Sequence, residues 1–488
     1  MNNIEKALKK GNRDDLITLS IRSWDNEGRG IADMPDGRIC FVKGAIPGET
    51  VRAGLFVVKK NYAEAVTEEV IVSSPHRIAN GPGLEGTCLS HVDYEGQLEF
   101  KYNKVRDCLI RIGRMDPSEL DPFMKPIIPA DRIRNYRNHM QYRIRQGRIC
   151  EVRRGSNELV EVTENAIEYK IFGKIRKALE KIWEDAPTNL FDGLVLRGSE
   201  RTGELLIELV SADTRSHELV IRDASQYLRA SDMAKVISDA AEGYRLMGIL
   251  LRISPDKTSS RTRSGKRVVL CGEDYYTEQM CGRTFRVKAG AFFQVNTEQA
   301  EKLYAKASEG LKDAKVLYDV YCGTGSIGLS CIGNDSRLIG IENVREAVES
   351  ARINAKLSGV SNAEFICRPA EKIVPGKDGL PPPDAVIVDP PRKGMDPVFV
   401  RKLMETKPPR ISYISCDPAT MARDLKYLAS EYRIESVTPV DLFCWTEHVE
   451  TVCLLSNTQR PKKESYITLD VEMEDYYRIK NEGKNSTT

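Results

Sequence analysis

The sequence predicts an α/β protein: a small N-terminal β-barrel, a mixed α+β central domain, and a C-terminal parallel sheet covered by helices. Three observations carry this. From about residue 291 apolar β-type runs alternate with helical stretches, the pattern of a sheet buried on both faces. Within that part, Gly323, Gly325 and Gly328 form a G-x-G-x-x-G turn directly between a strand and a helix. Between Leu16 and about Val72, short β runs (LITLSIRSW, ICFVK, LFVVKKNYAEAVTEEVIVS) are broken by glycine turns, as in small barrels.

With 488 residues the chain is long enough for roughly three domains. The expected boundaries are 14–73 for the barrel, 74–290 for the central domain and 291–458 for the parallel sheet, then a polar tail over 459–488. The net charge is only +2, so a case for nucleic acid must come from local patches. Twelve cysteines are scattered without a C-x-x-C pair, which argues against a zinc ribbon or redox motif, and no metal is expected. No apolar leader follows Met1 and no run approaches membrane-spanning length. The expectation is a cytoplasmic monomer with reduced thiols and no membrane partner.

In chain order, residues 1–13 are polar and lysine-rich. The barrel segment carries Arg22, Arg29, Arg38, Lys43, Lys59 and Lys60 beside Trp24, Phe41 and Tyr62. Cations interleaved with aromatics suit an RNA-binding barrel, and a solvated face with ordinary core aromatics fits equally well. Residues 73–90 form a loop rich in Gly and Pro, and Val92 to Ile112 has helical periodicity. Residues 131–154 hold eight arginines against two acids, and 257–267 five cations and no acid. Such blocks engage phosphates or simply face solvent. Strands KVLYDV, RLIGIE, AVIV and ISYIS follow with helices between them, and two last strands close the sheet, including an antiparallel edge.

The ISYIS strand stops at Cys416, and Asp417-Pro418 opens a helix, with proline suited to its first position. A cysteine at the carboxyl end of such a strand lies where open α/β sheets bind ligands. The helix amino terminus beside it is expected to favour the nucleophilic thiolate; the alternative is a buried core thiol. The glycine turn, followed by Glu342 near the end of the next strand, suits an adenosine-type cofactor whose ribose hydroxyls the carboxylate accepts. Nicotinamide dinucleotides and S-adenosylmethionine both satisfy it. Asp389-Pro390-Pro391-Arg392-Lys393-Gly394 holds a carboxylate rigidly at a strand end, because proline restricts its own backbone and its predecessor's. Glu450, in His448-Val449-Glu450, points into the same cleft if its strand pairs with that of Cys416.

Together DVYCGTG, IEN, DPPRKG, SCDPATMARD and HVETV resemble, in order and approximate spacing, the RNA (uracil-5-)-methyltransferase family. FFQVN at 292–296 and YRNHMQYRI at 136–144 match it too, and residues 16–72 resemble the TRAM domain, an OB-like barrel of many members. The resemblance covers most of the chain and implies a Rossmann-like, S-adenosylmethionine-dependent catalytic domain. It implies Cys416 as nucleophile and Glu450 as general base. It assigns Gln294, Tyr321, Glu342 and Asp389 to S-adenosyl-L-methionine, and Phe292 to a position near the target base. It also implies methylation of carbon 5 of a uridine in RNA, with 23S rRNA favoured over tRNA because TRAM-bearing bacterial members resemble the ribosomal enzymes.

Two departures stand out. Many relatives carry a cysteine-rich iron–sulfur motif before a segment like HVDYEGQL (91–98); here GPGLEGTCLSH offers only Cys88, so no cluster is expected. Arg368-Pro369 follows AEFIC where the family usually has a glycine; the resemblance implies a slightly altered adenine pocket and an unchanged mechanism. Rival readings are an NAD-dependent oxidoreductase on the same glycine turn, and a non-catalytic RNA-binding assembly factor. The first leaves Cys416, Glu450 and DPPRKG without a role; the second leaves the intact pair Cys416 and Glu450 without one.

Overall fold

Strands β1 (Leu16–Trp24), β2 (Gly30–Asp33), β3 (Ile39–Lys43), β4 (Thr50–Val58) and β5 (Tyr62–Val72) close a barrel in the order β1-β2-β3-β5-β4. Burial alternates along β1, so Ile17, Leu19 and Ile21 face the barrel core. Gly30 is there for space: a Cβ would lie 2.7 Å from Ile21 Cγ2 and 3.0 Å from Ala45 Cβ. Outside, Arg29 stacks over Phe41 at 4.7 Å and Lys43 over Phe56 at 4.8 Å. The cation–aromatic interleaving is therefore physical, although Arg29 also pairs with Asp25 at 2.6 Å.

This computed structural model describes residues 16–79, 87–153, 157–183, 191–211, 230–253, 265–311, 313–333, 335–377 and 379–458. The lysine-rich amino terminus, most of the basic block 257–267 and the tail 459–488 lie outside the described residues. Among those described, no helix is long and apolar enough to cross a membrane.

Helix α1 (Tyr94–Arg111) forms where helical periodicity predicted it. Asp93 caps it, its carboxylate accepting from Gly96 N at 2.8 Å. The sequence reading put this stretch in the central region, yet Val105, Cys108 and Leu109 of α1 are buried in the core of the C-terminal sheet.

The central sheet comprises β6 (His139–Arg145), β7 (Arg148–Val152), β8 (Leu159–Glu161), β9 (Gly193–Ser199), β10 (Glu204–Ser211), β11 (Arg245–Ile253) and β12 (Lys266–Gly272). Its order is β12-β11-β10-β9-β6-β7-β8, and only β10 and β11 run parallel. Helices α2 (Lys170–Trp183) and α3 (Ala230–Ala240) cover one face with Phe172, Ile175, Leu179, Met233 and Ile237. A hairpin, β13 (Tyr275–Met280) and β14 (Arg283–Lys288), leads through 289–296 into α4 (Thr297–Ser308).

The C-terminal sheet alternates as predicted: β15 (Val316–Val320), α5 (Ser326–Cys331), β16 (Arg337–Glu342), α6 (Arg345–Leu357), β17 (Ala363–Cys367), β18 (Ala385–Val388), α7 (Pro397–Thr406), β19 (Arg410–Ser415), α8 (Pro418–Leu428), β20 (Tyr432–Val440) and β21 (Glu450–Asn457). The order is β17-β16-β15-β18-β19-β21-β20. The first five are parallel, and β21 and β20 complete the sheet antiparallel, so the expected antiparallel edge is present. Strand order reverses between β15 and β18, so a ligand crevice opens beyond their carboxyl ends.

Candidate active site

The glycine turn leaves β15 at Val320. Tyr321, Gly323 and Gly325 all take left-handed backbones, with φ of 67°, 54° and 80°. Gly328 N donates to Asp319 Oδ2 at 2.8 Å, and a Cβ on Gly328 would sit 2.6 Å from that oxygen. Only glycine lets α5 start so close to the strand. Asp319 is fully buried, and burial lifts its carboxyl to about 7, against the Gly328 N–H and with the charge of Glu342 adding to the rise. Glu342 is fixed at the lip of the turn. Its Oε2 accepts from Gly323 N at 3.1 Å, and its Oε1 from Asn343 N and Val344 N at 2.7 and 2.9 Å. A Cβ on Gly323 would meet nothing within 4 Å, so there is room above the turn. An open glycine turn with a fixed acceptor at its edge fits a ribose carrying two hydroxyls.

Gln294 is buried, and its carbonyl accepts from Asn138 Nδ2 at 2.9 Å. Asn138 also donates from its backbone to Val295 O at 2.9 Å and from Nδ2 to Thr297 Oγ1 at 3.1 Å, so the central domain pins the 294–297 segment. Phe293 joins the core while Phe292 stays 51% exposed. The Tyr321 ring packs edge-on against Phe399 at 6.2 Å, and burial raises its hydroxyl to about 12.

On the other side of the crevice, Ser415 of β19 opposes Thr451 of β21. One step further along the two strands lie Cys416 and Glu450. Cys416 is half-buried; its thiol is pushed up to about 12, first by burial, then by Glu450 and Asp389, against the pull of Arg392. The expected thiolate is thus corrected: in the free protein Cys416 is a neutral thiol. The reason is local. Asp417 already accepts from Ala419 N at 2.9 Å and Thr420 N at 3.3 Å, so the helix amino terminus is satisfied by a carboxylate and not directed at the sulfur. Burial also raises Glu450 to about 8, with Asp389 adding and Arg392 opposing. Asp389 itself rises to about 7, through burial and then Asp319. Glu342, Asp319, Asp389 and Glu450 therefore belong to one electrostatic cluster.

The DPPRKG turn is anchored to α8. Asp424 Oδ2 accepts from Met395 N at 2.8 Å and from the Tyr413 hydroxyl at 2.7 Å. Arg423 donates to Lys393 O at 2.9 Å. This anchoring holds exposed Arg392 where its charge acts on Cys416, Glu450 and His448. The sequence reading gave no role to Arg392, Asp424 or Asn138. Arg392 was findable, as a cation fixed by a double proline beside an acid. Cys88, alone in its segment, donates to Glu447 Oε2 at 3.1 Å.

A nucleophile-bearing strand end, a raised carboxylate abreast of it and an adenosine-type turn across the crevice can carry out group transfer. Comparison with known proteins bears on which group. The profile of the tRNA (Uracil-5-)-methyltransferase family matches residues 383–458, a methyltransferase domain profile matches 311–385, and the TRAM domain profile matches 16–67. An uncharacterized RNA methyltransferase of Lactobacillus johnsonii is 33% identical over 474 residues, covering 92% of this chain and 100% of its own. Another from Clostridium acetobutylicum is 32% identical, covering 94% and 100%. Among solved structures, the Pyrococcus abyssi tRNA (uracil-54, C5)-methyltransferase in complex with S-adenosyl-L-homocysteine is 26% identical. It superimposes with a TM-score of 0.70 over 90% of this chain and 100% of that one.

Proposed function

The chain belongs to the S-adenosylmethionine-dependent RNA (uracil-5-)-methyltransferase family, and from that membership we propose that it methylates a 23S rRNA uridine through a covalent cysteine–uracil adduct. The observation that carries the proposal is the placement of Cys416 and Glu450 one step beyond the paired Ser415 and Thr451 of β19 and β21, each within the field of Asp389.

Carbon 5 of uracil is a poor nucleophile. The Cys416 sulfur adds at carbon 6 and turns the ring into an enolate, its proton leaving through Asp389, another acid acting on the thiol, so that Glu450 stays free for the later step. S-adenosylmethionine, when bound, supplies the electrophilic methyl group; Gln294, Tyr321, Glu342 and Asp389 would hold it. Once carbon 5 is methylated, the Glu450 carboxylate removes the proton still there. The ring double bond re-forms and expels the sulfur. The target base must leave its stack to reach Cys416. Phe292, exposed two residues before Gln294, would offer it an aromatic face.

Support for 23S rRNA comes from the TRAM barrel with its stacked Arg29 and Lys43, and from bacterial relatives covering 92% and 94% of this chain. A second reading, tRNA, is favoured by the name of the Pyrococcus abyssi enzyme. Unmodified 23S rRNA and tRNA offered together decide between them: methyl incorporation into tRNA alone refutes the ribosomal reading. RNA containing 5-fluorouridine tests the mechanism, because fluorine cannot leave as a proton. A denaturation-resistant protein–RNA adduct is expected, and Cys416→Ala abolishes it; turnover surviving Cys416→Ala refutes the mechanism.

A further inference from the structure

We propose that α1 is a splint for the general base: Lys101, with Gln97 and Lys104, fixes the connector between β20 and β21 so that Glu450 meets the target base in one position. The proposal rests on reading Glu450 as that base.

The connector spans 441–449, and the cross-strand pair Val440 and Glu450 closes it. Its carbonyls are taken one after another. Leu442 O accepts from Asn296 Nδ2 at 3.2 Å, Phe443 O from Lys101 Nζ at 2.9 Å, and Cys444 O from the Tyr136 hydroxyl at 3.1 Å. Trp445 O accepts from Leu89 N at 3.1 Å and Glu447 O from Lys104 Nζ at 2.8 Å. Gln97 Oε1 accepts from Trp445 N at 2.7 Å, while its Nε2 donates to Val92 O at 2.9 Å. Gln97, Lys101 and Lys104 recur at helical spacing, so one face of α1 makes three of these ties. Trp445 sits at φ 70°, a conformation a tryptophan holds only when its surroundings impose it.

The ion pair between Lys101 Nζ and Asp441 Oδ1, 2.5 Å long, has both side chains at 0% exposure. A pair buried so completely seldom stabilises a fold more than apolar packing would. What it supplies here is position. Asp441 directly follows Val440, the residue opposite Glu450, so the pair pins the connector where it leaves the strand beside the base. A base must lie within hydrogen-bond reach of its proton, and an ångström of misplacement costs about 100-fold. Sulfur addition and methylation precede proton removal, so a loosened splint stalls the enzyme as a methylated adduct.

The test uses the full chain with ordinary uridine RNA. Lys101→Met/Asp441→Leu replaces the pair with apolar side chains and leaves no orphaned charge; Lys104→Met removes one tie only. For the double variant we expect a melting temperature near wild type and a kcat lower by about 100-fold, with KM for RNA falling alongside it so that kcat/KM is nearly kept, because the slowed step follows methyl transfer. Denaturation-resistant adduct accumulates, which wild type does not show. Lys104→Met gives a smaller fall in kcat with the same adduct. A merely structural role lowers melting temperature and activity together with no adduct, and that result overturns the proposal. So does wild-type kcat in a folded double variant. Should the double variant not fold, Lys104→Met decides alone, and wild-type kcat without adduct overturns it. Glu450→Gln is the control: if it traps no adduct, the base assignment has failed and the splint falls with it. If it traps adduct where the α1 variants do not, only the splint is wrong.

Discussion

Replacing Arg392 with glutamine moves the pH dependence of methylation toward alkali. Glu450 titrates near 8 in the free protein because burial outweighs everything else, and Arg392 is the cation that limits the rise. With that value, roughly one molecule in ten carries the Glu450 carboxylate at pH 7. The kcat profile of wild type therefore climbs through neutrality toward a plateau where Glu450 is ionised, since its proton removal follows methyl transfer and enters kcat. An opposite charge in close contact lowers a carboxyl by about one unit or more, and an exposed one such as Arg392 by less. Arg392→Gln loses that pull, so its limb rises later and its activity near pH 7 drops by less than about tenfold, with recovery in alkali. Asp389→Asn removes a charge that raises Glu450, so its limb moves toward acid whatever its plateau. The assay is steady-state methylation of RNA at saturating RNA and S-adenosylmethionine, from about pH 5.5 to 9.5. An Arg392→Gln enzyme slower by one factor at every pH would refute the reasoning and give the guanidinium to RNA phosphate instead.

Glu450 also leaves a mark on stability. Unfolded it titrates near 4.5 and folded near 8, so between these values the native state binds the extra proton and stability falls as pH rises. Glu450→Gln removes that share, and its melting temperature declines less from about pH 5 to pH 8.5 than that of wild type; equal declines place the cause in other groups. Gly328→Ala puts a Cβ 2.6 Å from Asp319 Oδ2 and 2.8 Å from Leu338 Cδ1. The start of α5 must shift, at a cost of about 1–3 kcal/mol, and calorimetry with S-adenosylhomocysteine shows weakened binding; native affinity would mean the turn adapts. Phe292→Ala removes an exposed aromatic face and raises KM for RNA by about tenfold or more while S-adenosylhomocysteine affinity holds; equal loss of both would place Phe292 on the cofactor side.

Much of this site could be read from the chain because its chemistry sits in contiguous strings at strand ends. Cys416, Asp389 and the glycine turn each follow a short apolar run, so spacing alone put them on one edge of a sheet. What escaped depends on partners far apart in sequence. Lys101 meets Asp441 across 340 residues, and nothing near either predicts the other. A signal existed all the same: Lys101 lies between Phe100 and Val105 on the buried face of α1, where an unpaired charge would be too costly. The insertion of β6 between β9 and β7 was equally hidden, because β6 is far from β9 in sequence. The thiol state was misread for a different reason. Helix-dipole reasoning considered the amides of α8 and left out Asp417, which occupies them, and the two acids that face the sulfur.

Those acids lead to a last consequence for binding. Glu342 acts on Asp319, Asp319 on Asp389, and Asp389 on Glu450, so four carboxyls along the sheet edge repel one another's charge. Three of them are raised into the range of about 7 to 8 as a result of burial and this repulsion. A ligand bringing positive charge relieves the repulsion, lowers these values and expels protons. S-adenosylmethionine carries a sulfonium and S-adenosylhomocysteine does not, while the two match elsewhere. Near pH 7, titration calorimetry in buffers of different ionisation enthalpy should therefore show more proton release for the sulfonium compound. The difference should vanish near about pH 9.5, where the carboxyls are already ionised. Equal release by both ligands at pH 7 would mean that the acid row lies out of reach of the sulfonium. The raised values would then serve the base and the nucleophile alone.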